Sequence, residues 1–175
     1  STMVMLQVNN PVIALIVGVL IGALCGLING LVITTCEIPD FIMTLASQFI
    51  CRGAVLAITE AQPVSGFDIS FTLFGQGYVG PIPAPIVILV LVLIFYWILM
   101  NRRRFGRYVY AVGGNTDAAR ASGINTKKIK TQAYLFAGAA AGLAGVILMS
   151  RMNSGQPNGG EQYEFDAITA AIIGG

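Results

Sequence analysis

Four long apolar runs dominate this sequence and leave few ways in which it can fold. They cover about residues 11–35, 41–58, 85–100 and 131–150, and a fifth, over 167–175, reaches the last residue. A helix that crosses a bilayer needs about 20 mostly apolar residues. Only 10% of the residues are charged, whereas about 25% is usual in a soluble domain. We therefore predict an all-α integral membrane protein, a polytopic helix bundle with four spans and the truncated start of a fifth.

The residue types on which most enzymes and metal sites depend are scarce. The chain has no histidine, which is the commonest general base and the commonest metal ligand. Cys25, Cys36 and Cys51 are isolated and form no CxxC pair, so they indicate packing residues rather than a zinc or redox site. No GxSxG motif is present. We predict no catalytic residue and no metal site, and we expect no nucleic-acid partner.

The basic residues are concentrated between the third and fourth spans and predict the orientation of the chain. Lysine and arginine near span ends stay on the cytoplasmic side of a membrane. Eight of the ten lie in the loop 101–130, which is therefore predicted to be cytoplasmic, with 59–84 and 151–166 outside. Prolines and glycines in 59–84 predict an irregular surface connection. The eight are Arg102, Arg103, Arg104, Arg107, Arg120, Lys127, Lys128 and Lys130.

Small residues recur at helical spacing in two of the spans. The first span carries Gly18, Gly22, Gly26 and Gly30, one every four residues and so near one helix face. Faces of this kind let helices approach closely within lipid. We predict a tightly packed bundle. The fourth span has the same pattern at Ala137, Ala141 and Gly145, with Gly138 and Gly142 beside them.

The second span carries a polar stripe. Asp40, Thr44, Gln48 and Arg52 recur every four residues, with Ser47 beside them. Polar groups within a membrane nearly always face the bundle interior or a water-filled cavity, so the stripe is typical of a helix that lines a solute pathway. The alternative is that Asp40 and Arg52 lie near the two interfaces and the others satisfy one another. Our candidate pathway residues are Asn29, Thr44, Ser47, Gln48 and Arg52.

The stretch GGNTDAARASGINTKKIK, residues 113–130, has helix-start signals that a simple loop would not need. Asn115 or Thr116 can cap a helix over about 117–122, and Gly123 can end it. Such a helix is too short to be stable alone, so something must hold it. A second cap at Asn125 or Thr126 would start the helix of the fourth span. Binding of anionic lipid would explain the basic cluster 102–107 but not the capped helix; a soluble motor acting on the membrane subunit would use such a helix.

Three stretches resemble one family: GRYVYAVGGNTDAARASGINTKKIKTQAYLFAGAAAGLAGVI (106–147), IPDFIMTLASQFICRGAVLA (38–57) and QPNGGEQYEFDAITAAIIGG (156–175). They resemble the membrane permeases of bacterial ATP-binding-cassette sugar importers of the ribose, galactose and xylose type. The resemblance covers essentially the whole chain, residues 1–175, as a partial transmembrane permease domain. Complete family members are longer, so further spans are expected at both ends.

The resemblance implies partners and a role for the loop. Two permease subunits, identical or different, would form the pathway, an ATP-binding subunit would supply energy, and a periplasmic or extracellular sugar-binding protein would deliver a monosaccharide. This chain would bind no cofactor itself, since ATP belongs to the partner and GxxxxGK[ST] is absent. The implied location is the bacterial inner membrane, as a multi-pass protein in the lipid bilayer. The implied cytoplasmic coupling residues are Asn115, Ala118, Ala119, Arg120, Ser122, Gly123 and Ile124.

Three other functions stay open at this point. A permease for branched-chain amino acids belongs to a related family and would have the same architecture. A passive channel or structural membrane subunit would explain the spans and the glycines but not the capped helix. An intramembrane enzyme would need an unusual base in a chain without histidine. The sequence does not say which sugar crosses.

Overall fold

The computed structural model describes residues 11–65 and 69–174, and most of these are helical. In chain order the helices are α1 (Pro11–Cys36), α2 (Asp40–Thr59), α3 (Ile69–Gln76), α4 (Ala84–Asn101), α5 (Arg104–Gly114), α6 (Thr116–Ala121), α7 (Thr126–Met152) and α8 (Tyr163–Gly174). Two-residue strands are β1 (Val64–Ser65), β2 (Tyr78–Val79), β3 (Ile82–Pro83) and β4 (Ser154–Gly155). They form two short antiparallel pairs, β1 with β4 and β2 with β3.

The four helices α1, α2, α4 and α7 are long and apolar enough to cross a membrane, with 26, 20, 18 and 27 residues. At a rise of about 1.5 Å per residue, each is about 27 Å or longer, close to the thickness of the hydrocarbon core. The predicted fold class is confirmed: the chain is part of an all-α, multi-pass membrane protein. Each of these helices lies over one predicted apolar run, and α8 covers the start of the fifth.

The closest helix packing is between α1 and α7, and glycine makes it possible. A Cβ atom added at Gly26 would overlap the carbonyl oxygen of Tyr134, and one added at Gly142 would lie 2.5 Å from the carbonyl oxygen of Gly18. At Gly22 an added Cβ would lie 2.7 Å from the Cα of Gly142. These positions have no room for any side chain, so the backbones of the two helices are in direct contact.

Further residues extend the contact between α1 and α7. Gly30 lies against Thr131, and Gly138 lies against the backbone of Gly22 and Gly26. Near Gly30 the Thr34 hydroxyl lies 3.3 Å from that of Thr131, so a polar contact also joins the two helices. Thus the predicted glycines of both spans meet in one interface.

Three predicted small residues of the fourth span, Ala137, Ala141 and Gly145, lie away from the interface with α1. For these residues the prediction of packing was wrong within the described chain. Ala137 and Ala141 are exposed, and nothing described lies within 4 Å of a Cβ built on Gly145. The reason is geometric: Gly138 and Gly142 lie one position away on the helix, about 100° round, and they are the residues that face α1.

The core lies at the end of the bundle where α1 begins and α7 ends. There Ala14, Phe71 and Val146 form a buried cluster. The Ser150 hydroxyl donates a 2.5 Å hydrogen bond to the carbonyl oxygen of Phe71. Because Phe71 belongs to α3, the prediction of an irregular surface connection over 59–84 was wrong in this part. Its apolar sequence ISFTLFGQ forms a helix that covers the ends of α1 and α7.

The helices α2, α4 and α8 have no buried residue among those described. Their large apolar side chains point outwards; Phe49 and Leu91, for example, are 67% and 61% exposed. A soluble protein rarely exposes continuous apolar surface of this extent, which marks contact with lipid or with further helices. The surface therefore agrees with a protein whose solvent is the bilayer.

Candidate coupling segment and polar pathway

We call the end of the bundle that carries residues 101–130 the basic end. The helix α5 lies in this region, where the sequence predicted a loop with only one short helix. Its apolar residues Phe105, Tyr108, Val109 and Val112 are spaced at i, i+3, i+4 and i+7, the pattern of an amphipathic helix. That signal was present in the sequence and was overlooked.

Two contacts dock α5 on the membrane-spanning helices. A Cβ on Gly106 would overlap the carbonyl of Met100 in α4, so only glycine fits there. The ring of Phe105 packs edge-on against Phe136 of α7, with 5.2 Å between centroids. At the preceding turn the guanidinium of Arg102 lies 5.7 Å from the centre of the Trp97 ring, an attractive cation–π distance. The basic end is thus joined to α4 and α7.

The short helix α6 is closed at both ends by hydrogen bonds. At its start the Asn115 side chain accepts a 2.9 Å hydrogen bond from the backbone N–H of Ala118. At its end Gly123 adopts φ +80°, in the left-handed region that glycine enters without a Cβ penalty. The N–H of Gly123 then donates to the carbonyl of Arg120, and that of Ile124 to the carbonyl of Ala119, which together make a Schellman motif.

The seven predicted coupling residues differ in what they offer to a partner. Asn115, Ala118, Arg120, Ser122 and Gly123 are exposed, and Ile124 is half-buried. Ala119 is only 4% exposed, so its methyl group packs inward against the described chain. Its part in coupling stays a prediction.

The turn after α6 leads directly into α7 through a second cap. The Asn125 side chain accepts a 3.0 Å hydrogen bond from the backbone N–H of Lys128. Ile129, one turn into the helix, is 9% exposed and anchors the start of α7. Only four residues, 122–125, therefore connect α6 to α7.

A cavity of about 730 Å³ separates α6 from the turn between α1 and α2. Its lining combines apolar side chains of α5 with charged ones. Across it, Lys130 Nζ lies 2.7 Å from Asp40 Oδ1, and Lys127 Nζ lies 3.8 Å from Glu37 Oε1. Tyr134 also lies close enough to Asp40 to interact with it electrostatically. These contacts tie the first turns of α7 to the start of α2.

The polar stripe of α2 forms its longest-range contacts with the segment that leads into α8. Gln48 Nε2 donates a 2.8 Å hydrogen bond to Glu164 Oε1. The guanidinium of Arg52 lies 2.7 Å from Glu161 Oε1. The Thr44 hydroxyl instead donates to the Asp40 carbonyl of its own helix, at 2.9 Å. Ser47 is half-buried. The structure therefore brings Gln48 and Arg52 together with two carboxylates.

Glu161 and Glu164 were not among the predicted pathway residues. Glu164 lies outside the four long helices, in the first turn of α8. The sequence offered one signal: three acidic residues, Glu161, Glu164 and Asp166, stand just before an apolar run. The partners of Glu161 and Glu164, more than 100 positions away, could not be read from it.

Asn29 lies on α1, and its Oδ1 is buried without a hydrogen-bond donor among the described residues. Cys25 of α1 and Cys51 of α2 lie close enough to interact electrostatically, so they stand at about the same level of these two antiparallel helices. In that register Asn29 is level with Ser47, because both lie four residues nearer the basic end. Asn29 therefore belongs to the same layer of the bundle as the middle of the polar stripe. A buried amide oxygen without a donor is costly and indicates a missing partner.

Within residues 11–65 and 69–174, no three metal-ligating side chains are grouped as a metal site would require. The clusters that the structure does assemble are a capped helix at the basic end and a layer of amide, guanidinium and carboxylate groups between α2 and the start of α8. The first can receive a mechanical displacement and the second can hydrogen-bond a polar solute.

Comparison with known proteins gives relatives along the whole chain. The family model described as "Branched-chain amino acid transport system / permease component" matches residues 1–175. The ribose import permease protein of Bacillus subtilis (strain 168) is 47% identical over 168 residues, 95% of this chain and 52% of that protein. No solved structure matches the chain.

Two further relatives are named for other sugars. The D-allose transport system permease protein of Escherichia coli (strain K12) is 38% identical over 162 residues, 93% of this chain and 50% of the relative. The L-arabinose transport system permease protein of the same strain is 39% identical over 147 residues, 84% of this chain and 45% of the relative. The chain spans about half the length of the curated relatives it matches.

Proposed function

This chain belongs to the family of branched-chain amino acid transport system / permease components, and from that premise we propose that it forms part of the membrane permease of a bacterial ATP-binding-cassette importer of a monosaccharide. The relatives named above are permeases for ribose, D-allose and L-arabinose. Sequence identities of 38–47% to proteins for three sugars support a sugar as the solute. The relatives are permeases and not enzymes, and hydrolysis of ATP is assigned to a separate subunit.

We place the basic end on the cytoplasmic side of the bacterial inner membrane. Eight of the ten lysines and arginines lie in 101–130, and this bias is the strongest determinant of membrane topology. The opposite end, with α3 and the β1–β4 pair, then faces the periplasm or the outside. A sugar-binding protein would dock on that side.

The observation that carries the proposal is the construction of α6. A six-residue helix gains little stability from its own hydrogen bonds, yet this one has an Asn115 cap, a Schellman end and a buried Ala119. Its other face, with Ala118 and Arg120, is exposed at the basic end. A helix held so firmly and left open on one side suits docking into a groove of an ATP-binding subunit.

The described contacts suggest how movement of α6 reaches the pathway. The connection 122–125 links α6 to α7, α7 packs on α1 through glycine, and Lys130 ties α7 to Asp40 of α2. When two ATP-binding subunits close, α6 would move with them and shift these helices between inward-open and outward-open arrangements. The binding protein must favour one of the two arrangements if transport is to be coupled to hydrolysis.

The remaining assignments complete the transporter. A second permease subunit, identical or different, would supply the other half of the pathway across the exposed faces of α2, α4 and α8. Asn29, Thr44, Ser47, Gln48 and Arg52 are the proposed lining residues. ATP would bind only to the partner subunit.

Reconstitution of the full-length protein tests this function. The protein would be placed in liposomes with its ATP-binding subunit and supplied with its binding protein and labelled ribose, arabinose or allose. We expect uptake of at least one of these sugars that requires both ATP and the binding protein. Uptake without ATP would instead indicate a passive channel.

The family description supports one alternative solute, a branched-chain amino acid. Labelled leucine and valine, offered in the same assay, test it. ATP-dependent uptake of either one, with none of the sugars, would replace the monosaccharide in the proposal and leave the permease role in place.

A further inference from the structure

A layer of polar side chains joins α2 to the start of α8 at a depth where a membrane protein should be driest. Gln48 and Arg52 are the ninth and thirteenth residues of α2, which starts at the basic end. At about 1.5 Å per residue they lie about 12 and 18 Å from that end, on either side of the middle of the hydrocarbon core. Charged groups at such depth are costly and face protein or water rather than lipid.

The start of α8 supplies the carboxylates at this depth. Glu161, just before α8, and Glu164, in its first turn, pair with Arg52 and Gln48 in antiparallel order, so α8 begins beside the middle of α2 and runs towards the basic end. The chain thus enters the membrane layer from β4 as an irregular segment. Irregular backbone at this depth is tolerated where it is covered by protein or lines a water-filled cavity.

Neither partner of the ion pair is sealed by the rest of the described chain. The Arg52 side chain is 25% exposed and the Glu161 side chain 50% exposed. An ion pair with this exposure can exchange its bonds for bonds to a solute, which a fully covered pair could not do. On α1, the buried Asn29 Oδ1 lies level with Ser47 and lacks a donor among the described residues. The layer therefore has hydrogen-bonding capacity that it does not use internally.

We propose that Glu161 and Glu164, together with Gln48 and Arg52, form a site that binds the hydroxyl groups of a neutral polyol during its passage. This rests on the proposed function. Carboxylates accept hydrogen bonds, the guanidinium donates them and the amide does both, which matches hydroxyl groups that donate and accept. Two carboxylates against one guanidinium leave a negative charge, which repels anionic solutes such as sugar phosphates.

When no sugar is present, the Gln48–Glu164 hydrogen bond and the Arg52–Glu161 ion pair hold α2 against α8 and close the site. A passing sugar exchanges those bonds for bonds to its own hydroxyls, so the net cost of opening is small. A site that must release its ligand in each cycle should bind weakly, and such an exchange provides that.

The test measures sugar taken up per ATP hydrolysed by the reconstituted full-length complex, with the sugar that the wild-type protein transports. We expect Glu164→Gln and Gln48→Leu each to lower this ratio about tenfold, because the first removes the negative charge of the acceptor and the second removes the donor. ATP hydrolysis stimulated by the binding protein should persist. Glu60→Gln, an exposed acidic residue at the end of α2, is the matched control and should leave the ratio unchanged.

The charge-swapped variant Arg52→Glu with Glu161→Arg separates binding from simple tethering. It restores an ion pair but exchanges the positions of donor and acceptor, so we expect the complex to assemble and the ratio to stay low. Recovery of the wild-type ratio would overturn the site and leave a structural tether. An unchanged ratio in both single variants would also overturn it.

If the Glu164→Gln complex does not assemble, Gln48→Asn is tested instead. This variant keeps the amide but shortens the side chain by one methylene group. A wild-type ratio in that variant contradicts the site, and a lowered ratio in an assembled complex supports it. A wild-type complex that takes up no sugar with ATP would contradict the proposed function rather than this site.

Discussion

A single methyl group is too large for the crossing of α1 and α7. Gly26→Ala would place a Cβ against the carbonyl oxygen of Tyr134. Backbone atoms on a helix cannot move aside independently, so the two helices would separate. We expect a destabilisation of about 1–3 kcal/mol, the usual cost of overpacking. The measurement is thermal unfolding of the full-length protein in detergent.

Gly53→Ala is the control for that prediction, since nothing described lies within 4 Å of its Cβ position in α2. Both changes add the same methyl group to a helical glycine. Equal melting temperatures for the two variants would contradict the close contact of α1 with α7.

At the start of α6 the side chain of Asn115 replaces a helical hydrogen bond. Asn115→Ala removes the acceptor of the Ala118 N–H and should cost about 1 kcal/mol, enough to fray a six-residue helix. We expect the binding-protein-stimulated ATP hydrolysis of the reconstituted complex to fall. Asn115→Asp keeps an acceptor and should retain most of that activity; if both variants behave alike, the cap has no part in coupling.

Some of these residue-scale features could be predicted from sequence and others could not. The four-residue spacing of Gly22 and Gly26 and the cap signal of Asn115 are local, so they are visible in a linear pattern. The inward position of Ala119 depends on where α5 and α7 lie. The pairing of Gln48 with Glu164 depends on the whole fold, because 116 positions separate the two residues.

At the scale of elements, the four long helices were predictable because twenty apolar residues have few alternatives. The sequence prediction missed two helices, α5 and α3, for different reasons. In α5 the apolar residues have helical spacing, but the basic residues among them indicated a loop. The helix α3 lies in a stretch rich in glycine and proline, and its burial follows from tertiary contact between Phe71 and the ends of α1 and α7.

The link between α7 and α2 is the element-scale contact that the coupling account most needs. Lys130 and Asp40 are each about half exposed (41% and 47% for the side chains), so their pair should contribute less than about 1 kcal/mol to stability. We therefore expect Lys130→Ala to leave the melting temperature nearly unchanged but to lower sugar uptake per ATP. The charge-swapped variant Lys130→Asp with Asp40→Lys should recover part of that ratio. A swap no better than the single variant would show that the pair does not transmit motion.

At the scale of the molecule, the described chain consists of one tightly packed pair and a set of loosely attached helices. The pair α1 and α7 is joined through glycine and covered by α3 at one end. The helices α2, α4 and α8 present apolar faces without buried residues. Since the chain spans about half the length of its relatives, lipid and further helices are the natural partners of these faces. The helix α2 makes its polar contacts at its start, through Asp40, and near its middle, through Gln48 and Arg52.

The most direct test of this account is whether α6 touches an ATP-binding subunit. Ala118→Cys and Ala119→Cys form a matched pair, because the two residues are adjacent and small but only the first is exposed. Each would be placed in the full-length protein lacking its other cysteines, assembled with the ATP-binding subunit and treated with a short thiol crosslinker, with and without ATP. The account predicts a crosslink from position 118 whose yield changes with ATP, and little or none from position 119. No crosslink from position 118 in a correctly assembled complex would contradict α6 as the coupling element.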